Sequence, residues 1–149
     1  MAEYKDSDFL ETADSGTLKL IARTRELTRE YYFSDYEDTE KREAILRELL
    51  GGIGENVEID TPFHCDHGNN IFLGNDVIIG INCTFVDNAE IRIGNRVLIA
   101  SNVQLYTAAH PVELAERLTP GWSEETGEYF CRTYALPIKI GNGCWLGGG

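Results

Sequence analysis

The chain has 149 residues, 42% hydrophobic and 26% charged, with a formal net charge of -12, which is the size of one ordinary domain with room to bury a core. No apolar run approaches the ~18 residues of a membrane span, and the acidic start, MAEYKDSDFLETAD, lacks the apolar stretch of a secretory signal, so a cytoplasmic protein without membrane contact is expected. Phosphate binding needs a basic stripe, and its absence excludes a nucleic-acid partner.

In chain order, residues 14–32 carry Leu20, Thr24, Leu27 and Tyr31 at helical spacing, with Ser15 as a candidate N-cap. A second helix is predicted from Asp38 or Thr39 to Leu50, with Ile45, Leu46, Leu49 and Leu50 on one side and Gly51-Gly52 as its stop. Residues 34–39 form the turn. Residues 1–52 are thus read as an N-terminal helical segment.

After Gly52 the period changes. The phrase at Ile53-Gly54-Glu55-Asn56-Val57-Glu58-Ile59 returns at Leu73, at Ile93 and at Ile140. Within residues 91–110, IRIGNRVLIASNVQLYTAAH, apolar residues at Ile93, Ile99 and Leu105 recur every six positions, and small ones at Val97, Val103 and Ala109 follow four places later. Starts at 53, 73 and 93 give a 20-residue circuit of three hexapeptides plus two residues; the step of 47 to position 140 hides a 27-residue insertion between His110 and Pro137.

A six-residue period lines neither a helix face nor an alternating strand. It suits a coil that turns a corner after each short strand, with Gly, Asn and Asp at corners that need positive φ. Three strands per circuit make a triangular parallel β-solenoid over residues 53–149, in which each circuit buries its inward residues by stacking on the next. Cys83 and Cys144 fall on the small inward position of Val77 and Val97, and the four cysteines form no CxxC pair, so reduced, mostly buried thiols are expected.

The repeat phrase, CDHGNNIFLGN, FVDNAEIRIGN, and above all LYTAAHPVE followed by GEYFCRTYALPIKIGNGCWLGGG resemble the maltose/galactoside O-acetyltransferase family of hexapeptide-repeat transferases. The likeness covers nearly the whole chain and is weakest before Gly51. It implies a mainly β architecture, a left-handed parallel β-helix with an N-terminal two-helix segment, assembled as a homotrimer with sites between subunits. Acetyl-CoA would be the donor and a sugar hydroxyl the acceptor.

Acetyl transfer from a thioester to an alcohol needs a base for the hydroxyl proton and a donor for the developing oxyanion. By the resemblance, His110 is that base, at the solenoid rim where the insertion begins; a histidine titrates near working pH. Glu128, in GEYF, matches the family carboxylate near the base. Asp87 and Asn88 match the acceptor loop, with Asn82 one face earlier, though corner turns explain these residues as well. The family's frequent Asn two residues before Asn82 is Gly80 here. Trp145 and Gly148 match the donor region, Trp145 along the pantetheine arm and the Gly148 amide on the thioester carbonyl.

Two alternatives remain open. His64-Cys65-Asp66-His67 has zinc-ligand residue types, but two histidines so spaced do not share one face of successive coils, so no metal is expected and a carbonic-anhydrase-like enzyme is disfavoured. Family members continue past the position of Gly149 with further coils and basic residues near the CoA phosphates; a truncated, inactive scaffold or sugar-binding remnant is therefore the rival expectation. The residues of the insertion, about 111–137, carry Trp122 and Tyr129 and are expected to shape the acceptor pocket or reach a neighbouring subunit.

Overall fold

The computed structural model describes residues 5–10 and 14–149. Two helices open the fold, α1 (Ser15–Phe33) and α2 (Thr39–Leu49). The cap of α1 is Asp14, whose carboxylate accepts from the amides of Gly16 and Thr17, one residue before the expected Ser15. Both residue types cap helices, and the two-residue reach to the first free amides decides between them. Asp38 caps α2 by accepting from the Lys41 amide. Leu27 and Tyr31 of α1 and Ile45, Leu46 and Leu49 of α2 are buried against the first circuit, where the Tyr31 hydroxyl donates to the Ile59 carbonyl at 2.6 Å.

Thirteen short strands follow: β1 (Gly52–Ile53), β2 (Val57–Ile59), β3 (Phe63–Cys65), β4 (Ile71–Leu73), β5 (Val77–Ile79), β6 (Cys83–Val86), β7 (Ile91–Ile93), β8 (Val97–Ile99), β9 (Gln104–Tyr106), β10 (Ala108–Ala109), β11 (Tyr134–Ala135), β12 (Ile138–Ile140) and β13 (Trp145–Leu146). Eleven of them stack as three parallel faces, β1-β4-β7-β12, β2-β5-β8-β13 and β3-β6-β9, a parallel β-helix, while β10 and β11 pair with each other outside it. The register is that of the repeat count: Val57 lies beside Val77 and Val77 beside Val97, whereas Ile138 lies beside Ile91. The one skipped register is the insertion.

Strands β3 to β8 each point two residues inward rather than one. Val77 and Ile79, Cys83 and Phe85, Ile91 and Ile93, and Val97 and Ile99 are all buried, and Phe63 meets Phe85 edge-on at 5.2 Å. The second of each pair is the hexapeptide's apolar position; the first is filled by the smaller Val77, Cys83 and Val97 and, on the remaining face, by Ile91, so the core is close-packed along the axis. Cys65 and Cys83 are buried, Cys131 and Cys144 half-buried, and all four are free.

One corner, after β1, β4, β7 and β12, is a ladder of amides. Asn75 Oδ1 accepts from the Glu55 amide, Asn95 Oδ1 from Asn75 and Asn142 Oδ1 from Asn95, at 2.8–2.9 Å. The next residue at each level, Asn56, Asp76, Arg96 or Gly143, has positive φ. A Cβ at Gly74 would collide with Asn95 Oδ1 and the Gly94 carbonyl, which is why glycine precedes the rung in each phrase; Asn follows Gly74, Gly94 and Gly141, and Glu55 follows Gly54.

Candidate active site

The corner between the β3-β6-β9 face and the β1-β4-β7-β12 face is built differently. His67, Asp87 and Thr107 occupy one position at three successive levels. Asp87 is fully buried; its Oδ1 accepts from the amides of Asp66 and His67 at 3.0 and 2.9 Å and its Oδ2 from Asn70 at 3.4 Å. Asn70 Nδ2 in turn donates to the Asp87 carbonyl at 2.7 Å. The carboxylate thus pins the corner below it.

Thr107, one level up, is 4% exposed. Its hydroxyl donates to the Val86 carbonyl at 2.7 Å and accepts from the Ala89 amide at 2.9 Å. Residues 86–89, which carry Asp87 and Asn88, are therefore clamped to the segment that runs directly into His110. The Asn88 side chain is half-buried and makes no hydrogen bond among the described residues.

Past Thr107 the chain leaves the solenoid. β10 pairs antiparallel with the returning β11, Ala108 beside Ala135 and Ala109 beside Tyr134, so the detour starts at His110 and ends at Thr133. Pro111 is fully buried and anchors its first turn. His110 is exposed, and its Nδ1 lies 2.8 Å from the Arg132 carbonyl oxygen, with Thr133 Oγ1 3.4 Å from the same nitrogen. A carbonyl oxygen only accepts, so Nδ1 carries a proton, and in the neutral ring Nε2 keeps its lone pair. Nε2 makes no hydrogen bond among the described residues.

Glu128 is brought to the same neighbourhood but not to the histidine. The acceptor on Nδ1 is a backbone carbonyl, while Glu128 lines, with Asp6, Phe9, Thr119 and Arg132, a cleft between the N-terminal segment and the insertion. Its carbonyl accepts from Trp122 Nε1 at 2.8 Å, and the Trp122 ring packs edge-on against Phe130 at 6.4 Å.

Asn82 stands at a different corner, with φ of 59°, and its Nδ2 donates to Asn102 Oδ1 at 2.7 Å. Gly80 has a packing cause: a Cβ there would lie 2.8 Å from the Ser101 amide nitrogen of the next level. Trp145 is 76% exposed on the outer side of its face, in register with Leu98 and through it with Ile78, both also exposed. Gly148 lies against Ser101, where a Cβ would come 2.9 Å from its carbonyl, and the Gly148 amide makes no hydrogen bond among the described residues.

The His64-Cys65-Asp66-His67 run is split by the fold. His64 faces outward and is exposed, Cys65 is in the core, Asp66 pairs with Arg25 at 3.1 Å, and the buried Nε2 of His67 has no hydrogen-bond partner among the described residues. Among the described residues no three His, Cys, Asp or Glu side chains converge as a metal site. Nor is any helix there long and apolar enough to cross a membrane.

Residues 13–54 match the maltose acetyltransferase hexapeptide capping motif. Galactoside O-acetyltransferase of Escherichia coli is 35% identical over 84% of this chain and 56% of its own length. Among solved structures, a hexapeptide-repeat-containing acetyltransferase from Vibrio cholerae superposes with a TM-score of 0.78 at 32% identity, over 91% of this chain and 70% of that one. A galactoside acetyltransferase in complex with coenzyme A superposes with a TM-score of 0.82 at 31% identity, over 94% of this chain and 64% of that one. The chain spans 56 to 64% of the length of the first curated relatives it matches.

Proposed function

Because the chain belongs to the maltose/galactoside O-acetyltransferase family of hexapeptide-repeat transferases, we propose that it moves an acetyl group from acetyl-CoA to a sugar hydroxyl with His110 as general base. The observation that carries this reading is the His110–Arg132 bond: a histidine at the rim whose Nδ1–H is spent on a carbonyl offers Nε2 as the acceptor for a hydroxyl proton.

In the proposed step Nε2 takes that proton as the sugar oxygen attacks the thioester carbonyl. The Gly148 amide donates to the oxygen that gains charge. When the carbon–sulfur bond breaks, the proton on Nε2 passes to the departing thiolate, which restores the base. Trp145, with Leu98 and Ile78, offers an apolar track for the pantetheine arm or for a neighbouring subunit of a homotrimer.

On the acceptor side, Asn88 is the side chain free to meet hydroxyls, and amides both donate and accept. Asp87 holds the corner from which Asn88 projects, and Asn82 supports its own corner through the bond to Asn102. Glu128 supplies a carboxylate in the adjoining cleft without a bond to the base.

Acetyl transfer from acetyl-CoA to a panel of sugars, with His110→Ala as the paired variant, tests the reading. A general base predicts a loss on the order of 10²- to 10⁴-fold with unchanged thermal unfolding. Activity that survives the substitution removes His110 from the mechanism. A protein that neither binds CoA nor acetylates any sugar is instead a hexapeptide scaffold.

A further inference from the structure

The carbonyl that orients His110 belongs to a residue held from the other end of the chain. Arg132 Nη2 pairs with Asp6 Oδ1 at 2.6 Å, and its guanidinium carbon lies 3.5 Å from the centroid of the Phe9 ring. The Leu10 amide donates to the Thr133 carbonyl at 2.8 Å, and the Arg132 amide donates to the Arg117 carbonyl at 2.7 Å. Three contacts from residues 6–10 thus converge on the two-residue segment whose carbonyl and hydroxyl face His110 Nδ1. The Arg132 side chain is 18% exposed against 98% for Asp6, so the salt link alone is worth little. The stacking on Phe9 and the backbone bond give the arm its hold.

We propose that residues 6–10 form a positioning arm that, through Arg132, holds His110 in the tautomer with a free Nε2. The arm touches neither substrate nor base; it fixes the peptide that does. Without it, the residues around 132 keep the Arg117 backbone bond, the Leu118–Cys131 bridge, the Thr119–Phe130 backbone bond and β11 but lose the hold on the Arg132 side chain and the Thr133 carbonyl, and the imidazole is released to populate its other tautomer.

The test uses the full chain and reads the imidazole directly. Nitrogen-15 shifts of the His110 ring distinguish Nδ1–H from Nε2–H whether or not the protein turns over. The wild type is expected to show Nδ1–H. Arg132→Ala, and separately Asp6→Ala with Phe9→Ala, are expected to move the ring towards Nε2–H while leaving the solenoid's thermal unfolding in place.

In the acetyl-transfer assay the same variants are expected to lower kcat on the order of tenfold, a part of what a general base contributes, with KM for both substrates nearly unchanged. Arg132→Lys, which keeps the link to Asp6 and the cation over Phe9, should recover most of both signals.

A wild-type ring protonated at Nε2, or variants that leave ring shifts and kcat alike, overturns the proposal. So does a loss of kcat with unmoved ring shifts, because the arm would then act by another route. The kinetic arm rests on the acetyltransferase reading. If no acetyl transfer occurs yet the ring shifts respond, that reading fails while the positioning arm stands.

Discussion

Two corners of the same solenoid are held by different means. The corner after β1, β4, β7 and β12 repeats one device at every level, an Asn amide accepting from the backbone one circuit below, on the exposed surface. The corner at His67, Asp87 and Thr107 uses a different residue at each level, and two of the three, Asp87 and Thr107, are buried. A repeated corner serves only stacking, since any level could replace any other. The unrepeated corner carries level-specific contacts, and it is there that the circuit opens and His110 emerges. In a repeat protein, the column that stops repeating is where to look for chemistry.

The largest expected effect that separates the corners is Asp87→Ala. Three backbone amides would lose their acceptor at a site closed to water, which costs about 3 kcal/mol or more, read by chemical denaturation. Thr107→Val keeps the shape and removes the hydroxyl from between Val86 and Ala89. A loss of about 1–3 kcal/mol is expected, with a raised KM for the sugar and little change for acetyl-CoA, because the loosened segment carries Asn88. If both KM values rise together, the clamp is not specific to the acceptor corner.

Cys65, at the end of β3 beside this corner, sharpens the contrast through pH. Burial pushes its thiol well above the ordinary value, and the Asp87 carboxylate adds to the rise. A folded value above the unfolded one means stability that is complete below the unfolded pKa of about 8.5 and lost as pH climbs towards the folded value. One pH unit above 8.5 the loss from this group is about 1.4 kcal/mol. Cys65→Ala should flatten the alkaline limb of a denaturation-midpoint profile. An unchanged limb would mean that other groups, such as Tyr31, also raised by burial, dominate.

How far the sequence reveals this site follows from what each contact is made of. The circuit length, the amide ladder and the start of the detour at His110 all depend on side-chain type at fixed spacing, and counting recovers them. Asp87 is visible as a polar residue, but whether it meets a sugar or three amides depends on burial, which spacing does not encode. Thr107 could have been found by carrying the 20-residue count from His67 through Asp87. The partner of His110 could not: a backbone carbonyl is supplied by every residue, so Arg132 leaves no chemical signature at that role. Glu128, the side chain that looks suited to it, is set in the neighbouring cleft instead.

The smallest expected effect lies on the repeating corner. Asn95→Ala removes the acceptor for the Asn75 amide, but the rung is exposed and water can replace the lost oxygen. The Asn95 amide itself still donates to Asn142, so the ladder is cut at one rung only. A cost of about 0.5–1.5 kcal/mol is therefore expected, with kcat and both KM values unchanged, since no strand between this corner and His110 shifts register. Should Asn95→Ala cost as much as Asp87→Ala, the two corners would be equivalent supports, and burial would not be what sets the active corner apart.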